Sequence, residues 1–283
     1  MTRRAGEIPR GSVLPHTSTP LCQRDVGGDS VYLTWTSSRL HAPKGLLSGL
    51  PAGNSAGRCR GVLHGTVFNK ENIMKADYTD ITLVVDRSGS MESIREDAEG
   101  GINTFITEQA KKPGECSITL VQFDDKYEPV FRGVRAAACP RYSLVPRGST
   151  ALLDAVGRTI NDTGARLAAL PEAERPGLVI FVISTDGMEN ASTVYSHKQI
   201  REMIAHQQTV YSWQFTFLAA NIAAYDEAMQ MGIDSSSVGL YGLGRVFDSS
   251  LALNSKVSRM RSMRMMELDV DNSFTDEERE SMK

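Results

Sequence analysis

Cysteine is scarce in this chain. Cys22, Cys59, Cys116 and Cys139 are the four in 283 residues; they form no CxxC pair and stand near no histidine at zinc-finger spacing. Cys116 and Cys139 could in principle pair, but reduced, cytosolic thiols fit such sparse usage better. Histidine is equally thin, and His16, His41, His64, His197 and His206 form no HExxH. No apolar run approaches the roughly 20 residues that cross a bilayer. The first residues lack the long apolar core of a secretory signal, which points to a cytoplasmic protein with no membrane partner. Positive charge is not in excess either, since the net charge is −3. Residues 1–73 hold nine Lys/Arg against four Asp/Glu, a balance of +5, so the rest of the chain carries −8. An acidic main body argues against nucleic acid as a partner. A GxSxG elbow and a Walker Gly-Lys-Ser/Thr loop are missing, and Asp86-Arg87-Ser88 lacks the second aspartate of a phosphoaspartate phosphatase. Enzyme chemistry therefore has little to stand on.

What is present divides in two. Residues 1–73 are rich in Gly, Ser, Pro and Arg, as in "RGSVLPHTSTP" and "LLSGLPAGNSAGRCRG", and are expected to be poorly ordered. "SVYLTWTSS" (Ser30 to Ser38) reads as one isolated strand. Met74 precedes the first well-patterned segment, so an over-extended start of little function is an equal reading of these 73 residues. From Asp77 onward, strand and helix patterns alternate. Strands are expected at Ile81–Val85, Ser117–Phe123, Glu128–Arg132, Leu178–Ile183, Phe215–Ala220 and Ser237–Leu240. Helical stripes run through Ile94–Ile106, Leu152–Ile160, Ile200–Ile204, Ala223–Met231 and Phe247–Met260. The tight "DDKY" turn makes an antiparallel edge hairpin of the second and third strands. The uninterrupted "LVIFVI" reads as a strand buried on both faces. The expected fold is α/β, doubly wound, with a mostly parallel central sheet, one short antiparallel edge strand and helices on both faces. Gly100 and Gly101 weaken their helix and suggest close packing against that sheet. Residues 263–283 read as a polar tail in which Thr275 and Glu278 fit a capping box opening a short helix.

The chemistry-bearing residues sit where a doubly wound sheet binds ligands, at strand carboxyl ends. "VVDRSGSM" places Asp86, Ser88 and Ser90 after the first strand. "PRGSTALLDAV" places Thr150 where a loop becomes a helix, and "FVISTDGMEN" places Asp186 after the most buried strand. Each alone is an ordinary turn or cap residue. Together they put hard oxygen donors on three loops that share one sheet edge. Such donors suit Mg²⁺, with Mn²⁺ or Ca²⁺ as substitutes, and disfavour zinc.

"DRSGS", a lone Thr and "STDG", in that order, resemble the von Willebrand factor type A domain and its metal-ion-dependent adhesion site. The resemblance covers about Asp77 to Met260. It is nearest to single-domain bacterial and phage-type members, through "PRGSTAL", "TDG.EN" and the aromatic strand from Trp213 to Asn221. It implies that Ser88 and Ser90 bind the metal directly, that Asp86 and Asp186 act mostly through water, and that Thr150 joins when a ligand is engaged. It implies a non-enzymatic module that captures a partner's Asp or Glu through Mg²⁺. Family members of this kind often work beside AAA-type ATPases or in stress-response and assembly systems. A switch through the last helix, here Phe247 to Met260, is also implied. A metal-dependent hydrolase such as a phosphatase, and a structural module with an idle site, are the rival expectations.

Other motifs carry less. "DVDNSFTDEERE" has Phe274 where a calcium loop needs glycine. "GLYGLGRV" is not a dinucleotide fingerprint. "SRMRSMRMM" reads as a helix end whose methionines cover the core. "LVPRGS" (Leu144 to Ser149) matches a thrombin site, continues into Thr150 without a seam, and could be nicked if exposed. Asp124 and Asp125 read as a solvated hairpin tip.

Overall fold

The computed structural model describes residues 74–242 and 244–283; the expectations for residues 1–73, including the strand at Ser30–Ser38, lie outside the described residues. Six strands form one sheet: β1 (Lys75–Asp86), β2 (Glu115–Phe123), β3 (Tyr127–Arg135), β4 (Pro176–Thr185), β5 (Gln214–Ala219) and β6 (Val238–Leu240). Their order is β3-β2-β1-β4-β5-β6. Only the β2–β3 pair is antiparallel; the other pairs are parallel. Helices α1 (Arg95–Ala110), α2 (Leu152–Ala168), α3 (His197–Tyr211), α4 (Ile222–Gln230), α5 (Val246–Met265) and α6 (Asp276–Ser281) complete the described chain. This is the α/β, doubly wound architecture expected from the alternating pattern, with the edge hairpin in place. Among the described residues no helix is long and apolar enough to cross a membrane.

The pleat sorts the strand residues onto two cores. Ile81, Leu83 and Val85 of β1 and Leu178, Ile180 and Val182 of β4 face α1 and α5. Val84, Val179, Phe181, Ile183, Phe215 and Phe217 face α2, α3 and α4. Each wholly buried aromatic contributes about 1.5–3 kcal/mol of transfer free energy. β1 begins six residues earlier than its apolar run, because its polar residues are matched internally. Asp80 is fully buried, yet its carboxylate accepts two bonds from the Arg166 guanidinium (2.7 and 2.9 Å) and one from Ser117 Oγ (2.6 Å). Gly101 packs against Ser250 of α5, not against the sheet, and Gly100 faces open space. α5 runs five residues past Met260; Met260 is buried in the core while Met265 and Met266 are exposed.

After α5 the chain folds back over the β6 side of the sheet. Asn272 donates to Phe215 O, Phe274 and Met282 are buried, and the Thr275–Glu278 capping box opens α6. The strand order places the topological switch between β1 and β4. A crevice at the carboxyl ends of these two strands is therefore the expected ligand position.

Candidate metal centre

β1 ends in Asp86, and the chain turns through Ser88 into a short 3₁₀ turn, Gly89–Ile94. Asp86 is fully buried. Its Oδ1 accepts from Ser88 N (2.6 Å) and its Oδ2 accepts from Thr185 Oγ1 at the end of β4. Ser88 Oγ and Ser90 Oγ lie 3.0 Å apart, and Ser90 Oγ donates to Asp186 Oδ1 at 2.7 Å. Four of the five residues named from the sequence are thus linked through consecutive contacts at the β1/β4 switch point.

Thr150 arrives from a separate loop. Its N–H donates to Asn190 Oδ1 (2.9 Å), and Asn190 N–H donates back to Thr150 O (3.0 Å). This reciprocal clamp ties the Thr150 loop to the loop of Asp186. A Cβ placed on Gly187 would lie 3.4 Å from Thr150 Oγ1, 3.7 Å from Ser90 Oγ and 4.0 Å from Asp86 Oδ2. All three oxygens therefore lie within 4.0 Å of one point, the position a Gly187 side chain would take. Asp86, Ser88 and Thr150 are buried, Asp186 is half-buried and Ser90 is exposed, so the cup opens to solvent on the Ser90 side.

The charge balance of the cup fits a divalent cation. Neither Asp86 nor Asp186 has a basic partner among the described residues. Burial pushes the Asp86 carboxyl up to about 6, against hydrogen bonds from Thr185 and Ser88 that pull it down, and the Asp186 charge adds to the rise. Burial likewise raises Asp186, opposed by Ser90. Burial also raises the Tyr241 phenol, with the Asp186 charge as the next cause. Among the described residues no group of three His, Cys, Asp or Glu side chains is placed to hold a metal. The cup has two acids and three hydroxyls, an all-oxygen donor set that suits a divalent cation.

Positioning residues escaped the sequence reading. Asn221 caps α4 and its Nδ2 holds Asp186 O. Glu189 accepts Leu153 N (2.9 Å), Ala191 N (2.8 Å) and Ser192 N (2.6 Å), fixing the loop beyond Asp186 to the start of α2. Asp154 does the same for Thr193, Val194 and Tyr195. The "TDG.EN" stretch carried this information, because its Glu and Asn make the clamps. Asp124 corrects an expectation: it is not a solvated tip but fully buried, 3.0 Å from Arg87 Nε and 2.7 Å from Arg147 Nε. Arg147 N donates to Arg87 O, Gly89 N to Gly148 O, and Ala151 N to Asp124 O. The hairpin tip thus docks the Thr150 loop onto the serine loop.

No family model matches the chain, and no curated protein does. Solved structures do. It is similar to proximal thread matrix protein 1 from the mussel byssus with a zinc-occupied metal-ion-dependent adhesion site (16% identity, TM-score 0.47, covering 66% of this chain and 46% of that one). It is similar to a von Willebrand factor type A protein from Catenulispora acidiphila (12%, 0.46, 64% and 43%). It is also similar to the vWF domain of the type V pili tip protein Mfa5 from Porphyromonas gingivalis (9%, 0.49, 63% and 94%). The chain spans less than half the length of the first two. At these identities the likeness is one of fold.

Proposed function

For a chain with the von Willebrand factor type A fold, we propose a divalent-cation-dependent protein-binding module. Asp86, Ser88, Ser90, Thr150 and Asp186 hold the ion and leave it open to a carboxylate from a partner. The reading is supported by one observation: Asp86, Ser88, Ser90 and Asp186 are linked by consecutive contacts at the β1/β4 edge, and the two acids among them have no basic partner among the described residues. Three neutral hydroxyls in the set leave much of the cation's charge uncancelled, and a bound Mg²⁺, Mn²⁺ or Ca²⁺ supplies that charge to an incoming acid.

Binding is favoured over hydrolysis because the acids beside the cup are already engaged. Glu189 and Asp154 accept backbone N–H groups, and Asp124 holds two arginines. None is free to serve as a general base. The partner class proposed is a protein that offers Asp or Glu, an AAA-type ATPase or assembly component in the cytoplasm being the instance the family resemblance suggests.

The test has two readouts on the full chain. Mn²⁺ binding followed by electron paramagnetic resonance should saturate in the wild type and weaken at least about tenfold in Asp186→Ala. A peptide array should then retain Glu and Asp peptides over their Gln and Asn counterparts in Mg²⁺, and lose the preference in EDTA. Equal Mn²⁺ binding by the two proteins, or equal retention of acid and amide peptides, would sink the reading.

A further inference from the structure

The four most exposed large apolar side chains among the described residues are Met266 (70%), Ile222 (64%), Val145 (62%) and Met188 (56%). Three of them neighbour residues of the metal centre and its clamps along the chain. Met188 follows Gly187. Ile222 follows Asn221, whose side chain holds Asp186 O. Val145 stands two residues before Arg147, whose N–H is bonded to Arg87 O beside Ser88. The loops and helix start that carry the cup thus also carry exposed apolar side chains.

Met266 belongs to the opposite end of the molecule. α5 ends beside the starts of the strands: Met265 Sδ and Arg264 Nε approach the Cβ positions of Gly114, just before β2, and Gly177, at the start of β4. The ten residues of β4 separate the two sheet edges by roughly 30 Å. Here the chain reads Met265-Met266-Glu267-Leu268, and all four residues are exposed. Glu267 holds φ +57°. Its N–H bonds Arg264 O (3.0 Å) and Leu268 N–H bonds Met263 O (2.9 Å), so Glu267 is the left-handed residue of a Schellman turn, a place normally given to glycine or asparagine. Left-handed backbone is unfavourable for a side-chain-bearing residue. A negative charge at a helix C-terminus is unfavourable as well. No side chain among the described residues pairs with its carboxylate. Two local costs are carried by one acid that does nothing visible inside its own fold, and such an outlier points outward.

We propose that the metal centre of one molecule takes Glu267 of a second copy of this chain, with Met266 and Leu268 packing among Val145, Met188 and Ile222. This rests on the carboxylate-capture reading above and names its occupant. The two ends are too far apart to meet within one molecule. They are chemically complementary: loops that gather cation ligands and carry exposed apolar side chains, and an apolar-flanked acid with no partner among the described residues. The contact is heterologous, so repetition gives open chains, or rings if the rotation closes.

Sedimentation velocity on the full chain tests it, with Mn²⁺ occupancy followed in parallel by electron paramagnetic resonance. In Mn²⁺ the wild type should sediment faster as its concentration rises, and EDTA should abolish the effect. Glu267→Gln should bind Mn²⁺ as the wild type does below its assembling concentration, and stay monomeric at every concentration. Glu267→Gly should also stay monomeric while unfolding at a higher midpoint, because glycine relieves the left-handed strain. A mixture of Asp186→Ala, which keeps the acid, with Glu267→Gln, which keeps the cup, should stop at dimers. Mn²⁺-loaded wild type that stays monomeric, or Glu267→Gln that assembles like wild type, overturns the inference and leaves carboxylate capture standing. A wild type that binds no Mn²⁺ overturns both.

Discussion

Replacing Asp124 by Asn removes one charge from a buried site between two arginines. Asp124 is wholly buried and sits 3.0 Å from the Nε of Arg87, whose side chain is only 5% exposed. Breaking a buried ion pair from one side costs about 3–5 kcal/mol, mostly because the other charge is stranded. Arg87 keeps Glu128, but that carboxylate is half exposed, and exposed pairs are worth about 1 kcal/mol or less. The expected loss is thus about 2–3 kcal/mol for Asp124→Asn, against less than about 1 kcal/mol for Glu128→Gln. Urea unfolding of both variants, with the slope unchanged from wild type, measures this directly. The same substitution should reach the cup. Asp124 also anchors Arg147, and the Arg147–Ala151 loop carries Thr150. Mn²⁺ affinity should therefore fall about tenfold in Asp124→Asn and stay within about twofold in Glu128→Gln. A stability loss below about 1 kcal/mol, with Mn²⁺ affinity intact, would mean that Asp124 is the solvated turn residue its sequence context suggests.

Three other outcomes follow from the same geometry. Gly187 does not adopt a left-handed φ, so Gly187→Ala should fold with little change in midpoint, yet its methyl lies within 4.0 Å of Thr150 Oγ1, Ser90 Oγ and Asp86 Oδ2 and should lower Mn²⁺ affinity about tenfold or more. Lys256 is wholly buried, with burial pushing its amine down to about 6; the unfolded chain binds the extra proton between about pH 6 and 10, so stability should rise with pH across that window. Lys256→Met should flatten that rise; a flat wild-type profile refutes this. Thrombin should cut after Arg147 slowly, because its side chain is bridged to Asp124 and Glu128. Mg²⁺ should slow it further by holding Thr150, and Asp124→Asn should speed it, as read by gel.

The parts of this molecule that were legible in its sequence are those written in consecutive residues. "LVIFVI" is a strand because no polar residue interrupts it. Asp86, Ser88 and Ser90 could be grouped because alternation after a strand end leaves them within one turn. Thr150 and Asp186 could be joined to them only through the topology of a doubly wound sheet, which the strand–helix alternation supplied. What stayed hidden depends on contacts between distant segments. Asp124 in "DDKY" has the local signature of a hairpin tip, and two arginines from loops 23 and 37 residues away turn it into a buried anchor. Asp80 looks like a break in a strand until Arg166, 86 residues on, supplies both donors.

Glu267 marks a different kind of limit. Helix propensity and charge pattern would let an acid sit anywhere near the exposed end of α5, and nothing in "RMMELDV" announces a left-handed residue. The anomaly exists only once the Schellman turn is seen to close on it. A fold selected for its own stability alone has a simple remedy there, glycine, worth about 1 kcal/mol. The retained acid, exposed between apolar neighbours at the far edge of a sheet whose near edge gathers cation ligands, is most economically explained by a contact that the isolated chain cannot make.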